Sequence, residues 1–344
     1  MRRAASGMAV EVRPYADEDE SKALELLRRT LGEGPVGERS PEFFRWKHIA
    51  NPFGRSFMLV AELDGQIVGL RAFMRWRFRA GEESFRAVSA VDTATHPDFQ
   101  GKGIFSQLTR AALDHVRGEA EFVYNTPNEK SLPGYLKMGW EKVATVPISV
   151  RVVRPAHFLG GIRSPRGSLH SHHEPPSIHA DRAADLLSAG PALASLVEED
   201  ASSDRRLKTE RDVKYLAWRY QAVPRLDYRA VSKWRGDQLR GVAIFRVRAR
   251  ARLWEATVTE LLVPAGDRAT ARTLLGEVRR SVRVDHLTCH FPSGSTAARA
   301  ARRRGFVRSP RGVTFVVNSL GKDLHPDPRS FGSWALSLGD LEVF

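Results

Sequence analysis

The sequence predicts an α+β fold in two tandem copies. One observation is the order of elements in the first copy: strand, helices, three or four antiparallel strands, helix, strand, helix, strand. The other is an internal repeat at a constant offset of 172 residues, which pairs Trp46 with Trp218, Pro52 with Pro224, and Gly69 with Gly241. An offset of this length corresponds to one whole domain.

The first copy begins with a strand and two helices. Residues 8–15 alternate between apolar and polar side chains, as a half-buried strand does. Asp17 is a good N-cap for the helix that follows, and the apolar side of this helix ends near Gly32. A second helical segment carries three aromatic residues before Asn51-Pro52 breaks it.

A hairpin and a further strand come next. Residues 57–63 and 66–73 are mostly apolar and flank Asp64-Gly65, which is a strong signal for a tight turn. Another strand is expected over residues 85–95. Pro97 stops it, because proline has no N–H to donate to a sheet.

This strand leads into a glycine turn that suits an anion. From Gly103 the apolar residues recur every four positions, which predicts an amphipathic helix to about Gly118. Gly101 and Gly103 let the backbone approach a bulky anion, and the free N–H groups of the first helical turn point at it. The spacing is neither that of a nucleotide triphosphatase loop nor that of a dinucleotide fold.

Two sequence blocks resemble the GNAT acetyltransferases. Residues 100–105, Gln-Gly-Lys-Gly-Ile-Phe, resemble the Gln/Arg-x-x-Gly-x-Gly/Ala signature of that family, with Phe105 where Gly or Ala is usual. A strand at residues 121–125 precedes a second block that resembles the family's Asn...Ala/Ser...Tyr...Gly-Phe pattern, namely Asn128, Ser131, Tyr135, Gly139 and Trp140. Residues 140–146 then form the last strand of the copy, closed by Pro147.

The resemblance implies direct transfer of an acetyl group from acetyl-CoA to a primary amine, without a metal. It also implies that the acetyl-CoA site consists of Ala94, Thr95, His96, Gln100, Gly101, Lys102, Gly103, Ile104, Phe105, Ser106, Asn128 and Ser131. Tyr135 matches the family's tyrosine acid, which protonates the departing thiolate; the alternative is a core aromatic on an amphipathic helix.

Three groups are candidates for the base that takes the proton of the amine. Asp92 lies on the central strand near the expected thioester, but it could equally be a hydrogen-bonded structural acid. His96 is a weaker candidate. Acetyltransferases of the enhanced-intracellular-survival type, which also pair GNAT domains, place the chain's terminal carboxylate in the active site, and here Val343 and Phe344 end the chain.

The domain boundaries follow from composition. We expect a GNAT domain at residues 1–158, a linker at 159–190 rich in Pro, Ser and His, and a degenerate GNAT-like domain at 191–344. A histidine cluster in the linker invites a zinc interpretation, but a surface cluster without metal is favoured, because no ligand set of known spacing is present. Its members are His170, His172, His173 and His179.

The second copy has lost the residues of the predicted chemistry. Residues 265–268 replace the glycine turn, and Ala301 stands at the position of Tyr135. A helix at about residues 269–282 is expected to survive, with Asp267 at its start in the place of an anion. We expect this copy to complete a substrate cleft and to offer a surface for a homodimer.

Composition indicates a globular protein. Hydrophobic residues make up 42% of the 344, and Cys289 is the only cysteine, which excludes a disulfide framework. Residues 1–7 are basic, but no apolar run follows them as in a signal peptide, and no stretch is long enough to cross a bilayer. We therefore expect a soluble, cytoplasmic protein without a membrane partner.

The chain is also strongly basic. It has 54 Lys and Arg against 40 Asp and Glu, a net charge of +14, and its arginine runs at 246–252 and 302–304 fall late. A nucleic-acid surface is one interpretation. The favoured one is the solvent face of a strand, because the arginines of the first run alternate. Nucleic acid is therefore not the expected partner.

Three functions remain open from the sequence. The first is an active N-acetyltransferase that binds acetyl-CoA in its first copy. The second is a non-catalytic CoA-binding or nucleic-acid-binding module derived from such an enzyme. The third is aminoacyl transfer from tRNA, against which the good pyrophosphate turn argues. The expected acceptor is a small-molecule or peptide amine, and its identity stays open. Polyamines, aminoglycosides and protein lysines would require acidic residues in the cleft, whereas an amino sugar attached to a nucleotide or an acidic amino acid would suit the basic balance.

Overall fold

The computed structural model describes residues 10–32, 39–163, 176–188, 190–201, 204–321 and 323–341. The predictions for residues 1–7, for His170, His172 and His173, and for the terminal Val343 and Phe344 concern positions outside these ranges.

Strands and helices alternate along both halves of the chain. The strands are β1 (Glu11–Pro14), β2 (Phe57–Leu63), β3 (Gln66–Ala80), β4 (Glu83–Thr95), β5 (Phe122–Asn125), β6 (Glu141–Val152), β7 (Asp181–Arg182), β8 (Lys208–Thr209), β9 (Tyr228–Arg235), β10 (Gln238–Arg250), β11 (Leu253–Leu262), β12 (His286–Cys289) and β13 (Val307–Ser319). The helices are α1 (Glu20–Leu31), α2 (Pro41–His48), α3 (Ile104–Val116), α4 (Leu132–Lys137), α5 (Pro155–Arg163), α6 (Ala183–Leu187), α7 (Gly190–Ala201), α8 (Val213–Leu216), α9 (Arg268–Ser281), α10 (Thr296–Arg303) and α11 (Leu338–Leu341).

The fold is α+β, and the described strands form one mixed, mostly antiparallel sheet of 13 strands flanked by helices. The strand order is β1-β2-β3-β4-β5-β13-β6-β12-β11-β10-β9-β7, and β8 pairs with β3 off this path. The largest hydrophobic cluster runs through both halves of the molecule and includes Trp46, Trp218 and Trp334.

The two halves exchange their last strands. β13, from the end of the chain, lies between β5 and β6 and is antiparallel to both. β6, from the first half, pairs with β12 of the second half. Each half therefore supplies the strand that completes the sheet of the other half.

The prediction that Pro147 closes the last strand of the first half is wrong, because β6 continues to Val152. The register of β13 against β6 shifts between Arg308 and Gly312, and Gly312 is the partner of Pro147. A Cβ at Gly312 would overlap the Val146 carbonyl. The irregular pairing with a glycine at this position lets the sheet accept a proline that cannot donate.

Other boundaries follow the sequence more closely. The hairpin around Asp64-Gly65 is confirmed, and Gly32 ends α1 with φ 67°. Asp17 does not cap α1, because a short 3₁₀ turn precedes the helix and the Asp19 carboxylate instead accepts bonds from Arg13 and from the Ala16 N–H. The segment predicted as a linker contains the end of α5, β7 and α6.

The second half repeats the element order of the first. β9, β10, β11, α9, β12, α10 and β13 follow one another as β2, β3, β4, α3, β5, α4 and β6 do. The start of the second half also corresponds, since Asp212 caps α8 at the Tyr215 N–H as Ser40 caps α2 at the Phe43 N–H.

Candidate active site

A bulge and a divergence of strands open a cleft in the middle of the first half. β4 and β5 are parallel neighbours that pair from Ala87–Ser89 to Phe122–Tyr124 and separate beyond that point. The register of β3 against β4 shifts at Arg71, so that Asp92 and Thr93 both lie opposite this residue, and Asp92 has φ 40°. Such a β-bulge bends a strand away from its neighbour.

The glycine turn lies beside this cleft and presents backbone donors. Gly103 is the N-cap of α3 with φ 82°, and Gly101 has φ 77°. Among the described atoms none lies within 4 Å of a Cβ built at either glycine, and no described side chain caps α3. The first N–H groups of this 13-residue helix lack intrahelical partners, which is the arrangement that binds anions.

The cleft is a cavity of about 690 Å³. Its wall includes eleven of the fourteen residues that the sequence assigned to the site, namely Asp92, Thr95, Gln100, Gly101, Gly103, Ile104, Phe105, Ser106, Asn128, Ser131 and Tyr135. Ala94 and His96 are buried behind the wall, and the Lys102 ammonium lies 4.6 Å from the centre of the Phe99 ring.

Asn128 and Ser131 hold the start of α4. The Asn128 Oδ1 accepts hydrogen bonds from the backbone N–H of Lys130 at 3.0 Å and of Ser131 at 2.9 Å. This Asx turn fixes the short helix that carries Tyr135. Gly139 ends the segment with φ 91°, in the left-handed region that favours glycine.

Tyr135 is part of the cavity wall and is almost fully buried. Only 3% of the residue is exposed, and its ring packs edge-on against Phe105 and Trp140. The Arg71 Nη1 donates a hydrogen bond to the Tyr135 hydroxyl at 2.7 Å.

Phe105, the departure from the family pattern, forms part of the wall. Its ring lies against the backbone of α4, where a Cβ at Gly134 would come within 2.8 Å of the Phe105 Cε1. The absent side chain at Gly134 makes room for the ring, so the large residue leaves the cavity open.

Asp92 is the centre of a buried ionic cluster. Its Oδ2 lies 2.6 Å from the Lys47 Nζ and 3.0 Å from the His48 Nε2, and its Oδ1 lies 3.4 Å from the Arg39 Nη1. Burial by itself would raise the pKa of the Asp92 carboxyl, but Lys47 and His48 outweigh it and hold this pKa well below its ordinary value. Asp92 is therefore ionised over the whole physiological range.

His48 completes the cluster as a neutral side chain. Burial lowers the pKa of the His48 imidazole. Its Nε2 faces the Asp92 carboxylate, and its Nδ1 lies 3.0 Å from the Ser56 Oγ. These partners assign the proton to Nε2, which donates to Asp92, while the Ser56 hydroxyl donates to Nδ1.

Sequence reasoning missed Arg39, Lys47, His48 and Arg71. Arg71 carried a signal, since it is a charged residue within the apolar run of residues 66–73. Lys47 and His48 carried less, because basic residues in the last turn of a helix are common on exposed faces.

The second half contains a counterpart of the ionic cluster, in which Arg211, Arg219, Tyr220 and Glu260 take the places of Arg39, Lys47, His48 and Asp92. The Arg211 Nη2 lies 3.1 Å from the Glu260 Oε1, and the Tyr220 hydroxyl donates to the same oxygen at 2.8 Å. Asp340, near the end of the chain, also binds Arg211 at 2.9 Å.

The anion-binding feature is not repeated there. α9 survives as predicted, but the Asp267 carboxylate accepts from the Thr270 N–H at 3.0 Å and so caps the helix itself. The adjoining cavity is smaller, about 350 Å³.

Comparison with known proteins agrees with this geometry. Residues 11–143 match the family model described as an acetyltransferase (GNAT) domain. The chain therefore carries a GNAT domain in its first half. No curated protein matches the chain.

Solved structures show the same fold over most of the chain. A probable N-acyltransferase from Enterococcus faecalis V583 is 14% identical with a TM-score of 0.63, over 91% of this chain and 73% of that one. A GCN5-related N-acetyltransferase from Anabaena variabilis ATCC 29413 is 10% identical with a TM-score of 0.63, over 91% and 73%. Eis1 from Mycobacterium abscessus is 15% identical with a TM-score of 0.54, over 91% and 74%.

The described residues contain no group of three or more His, Cys, Asp or Glu side chains placed to hold a metal ion. In those same ranges, no helix has both the length and the apolar character of a membrane span.

Proposed function

We propose that the protein is an N-acetyltransferase that transfers the acetyl group of acetyl-CoA to a primary amine in the cavity of its first half. One observation carries this proposal. The uncapped start of α3, the divergence of β4 from β5 and Tyr135 all meet at the same cavity of about 690 Å³.

The residues of this cavity fit acetyl-CoA. The backbone N–H groups at the start of α3, with Gly101 and Gly103 before them, would hold the pyrophosphate. The free edge of β4 at Ala94 and Thr95 would hold the pantetheine arm and the thioester carbonyl. When bound, acetyl-CoA supplies an acetyl group activated as a thioester.

Tyr135 is the general acid of this proposal. The residue lines the cavity, and the ring contacts with Phe105 and Trp140 fix its position. A fixed hydroxyl can pass its proton to the sulfur that leaves, which is a contribution of about 100-fold or more in general acid catalysis.

In this proposal Asp92 is a structural acid and not the base. Its carboxylate is bound by Lys47 and His48, so that proton uptake would break two buried contacts. We assign to Asp92 the task of holding the β4 bulge and the α2 helix at the cavity.

Asp340, near the end of the described chain, contacts residues of the second half. Asp340 binds Arg211 and also accepts from the Thr209 hydroxyl at 2.6 Å. The proposal that the terminal carboxylate serves as a base rests on residues beyond Leu341 and is tested by deletion of Val343 and Phe344. An unchanged kcat would remove it.

The charges on the cavity wall favour an acceptor with an anionic group beside its amine. The charged residues of the wall are Arg39, Asp92 and Lys130, and Asp92 is already ion-paired. A polycation such as spermidine would meet a wall whose net charge is positive. We expect amines that carry a phosphate or carboxylate to be acetylated faster than spermidine.

Release of the CoA thiol, followed with a thiol reagent over a panel of such amines, tests the proposed function. Tyr135→Phe should lower kcat by about 100-fold because it removes the acid and keeps the ring. Tyr228→Phe is the matched control, since it removes a buried hydroxyl that Arg219 contacts at 3.0 Å in the second half. Acetyl-CoA binding without turnover of any amine would favour the non-catalytic binding module instead.

A further inference from the structure

We propose that Arg71 is a positioning residue for Tyr135, holding the acid's hydroxyl proton toward the cavity and stabilising the phenolate left when that proton is given up. This inference rests on the proposed function. It deepens that function by adding a second residue to the proton-transfer step.

Arg71 is fully buried beside the acid. Its exposed fraction is 0%, and it lies in β3 opposite the β4 bulge. The Nη1 contacts the Thr93 Oγ1 and donates to the Tyr135 hydroxyl at 2.7 Å. Both hydrogen-bond partners of this cation are therefore neutral hydroxyl groups.

The direction of the hydrogen bond orients the acid. A guanidinium has donors only, so the Tyr135 oxygen must accept from Arg71. The hydroxyl proton of Tyr135 then points away from Arg71. Since the residue lines the cavity, that proton is available to a leaving group there.

The buried charge of Arg71 destabilises the fold, but it can stabilise the phenolate of Tyr135. Its Nε and Nη2 have no hydrogen-bond partner among the described residues, and the rings of Phe73 and Tyr135 lie 4.8 and 5.2 Å from its Cζ. Ring contacts offset only part of the cost of a buried cation. No described carboxylate pairs with this guanidinium; when the Tyr135 O–H bond breaks and an S–H bond forms, the phenolate becomes its anionic partner.

The second half of the chain supports the coupling of the two residues. Ala243 stands at the position of Arg71 and Ala301 at that of Tyr135, and both are buried in one hydrophobic cluster. Leu261, the strand partner of Ala243, takes the place of Thr93. The half that lacks the tyrosine thus also lacks the arginine and its hydroxyl partner, although it keeps a counterpart of the Asp92 cluster.

A double-mutant cycle on the full chain tests the inference. Arg71→Met should lower kcat by about 10- to 100-fold and leave the KM for acetyl-CoA within about twofold, because the effect falls on the acid and not on binding. In the Tyr135→Phe background the same change should alter kcat by less than about twofold. Arg71→Lys, which keeps the charge, should restore part of kcat.

Arg219→Met is the matched control. Arg219 is also buried with 0% exposure and also donates to a tyrosine hydroxyl, that of Tyr228, but it lies in the second half. This variant should keep kcat within about twofold of wild type. If Arg71→Met fails to fold, Arg71→Lys decides, with a loss of about three- to tenfold in kcat that disappears in the Tyr135→Phe background.

The outcomes separate the two proposals. A wild-type chain that acetylates no amine rejects the proposed function and the role of Arg71 with it. An active wild-type chain in which Arg71 variants keep full kcat, or lower it equally with and without the Tyr135 hydroxyl, rejects only the role of Arg71.

Discussion

The indoles of Trp46 and Trp218 each donate a hydrogen bond to the backbone carbonyl of the other residue. The distances are 2.7 Å from the Trp46 Nε1 and 2.9 Å from the Trp218 Nε1, and the two rings stack with centroids 4.8 Å apart. The two residues are 172 positions apart, which is the offset of the internal repeat. They therefore hold equivalent positions in the two halves, and each makes the same contact to the other.

The two hydrogen bonds of this reciprocal contact should contribute similarly to the free energy of unfolding. Trp46→Phe and Trp218→Phe each remove one buried hydrogen bond to a backbone carbonyl, which should cost about 0.5–1.5 kcal/mol in the free energy of unfolding. The double variant should show a coupling of about 0.5–1.5 kcal/mol, because the rings stack. Urea denaturation of the four proteins measures this, and strict additivity would contradict the contact.

Neither half should fold alone. A chain of residues 1–158 lacks β13, which leaves the edge of β5 open and β6 without either of its neighbours. Open apolar edges of this kind promote aggregation. We expect each half to be insoluble when expressed separately and a folded complex when the two are co-expressed. Circular dichroism of a monomeric, cooperatively melting fragment 1–158 would contradict the strand exchange.

The ion pairs of Asp92 should make stability depend on pH in the acid range. The folded-state pKa of Asp92 is lowered, whereas the carboxyl of the unfolded chain has the ordinary pKa of an aspartic acid, about 3.9. Between the two values the unfolded chain binds the extra proton, so stability rises with pH there. The benefit is complete above the unfolded value and is lost as the pH falls through the folded one.

Asp92→Asn tests this sign. At pH 7 the variant should lose about 3 kcal/mol, because Lys47 stays buried without its carboxylate. The difference from wild type should be constant from pH 7 to 5 and shrink as the pH is lowered further. Asp114→Asn, on the exposed face of α3, should change stability by less than about 0.5 kcal/mol at every pH. A difference that grows toward acid pH would contradict the assignment.

Gly134 and Phe105 should behave as a matched pair. Gly134→Ala would place a Cβ 2.8 Å from the Phe105 Cε1, so it should cost about 1–3 kcal/mol by overpacking. Phe105→Ala in the same chain should recover part of that loss. Thermal unfolding of the single and double variants measures it, and a Gly134→Ala chain as stable as wild type would show that the ring does not depend on this glycine.

Local sequence was enough to predict that the glycine turn and Tyr135 lie at one site. Gly101, Gly103 and Tyr135 lie in blocks whose spacing along the chain sets their place in a strand, turn or helix. The structure brings these residues to one cavity, as the two blocks implied.

The ionic cluster and the strand exchange were beyond the sequence because they depend on distant partners. Lys47 meets Asp92 across 45 residues, and nothing in the helix that carries Lys47 marks its buried side. β6 and β13 are similar in length and polarity, so their sequences do not say which sheet each strand completes. The end of β6 was predicted wrongly at Pro147 for the same reason. The proline is accommodated by the irregular register of β13, a strand that lies far away in the sequence.

Calorimetric titration with acetyl-CoA tests the central claim most directly, using Gly103→Glu and, in the corresponding turn of the second half, Gly266→Glu. Both glycines have similar positive φ angles, 82° and 85°, so the two substitutions bring similar backbone strain and the same charge. We predict one-to-one binding by wild type and by Gly266→Glu, and a loss of binding of about 100-fold or more in Gly103→Glu, because a carboxylate at the start of α3 repels the pyrophosphate. Binding that survives in Gly103→Glu, or that is absent in wild type, would contradict a site for acetyl-CoA in the first half.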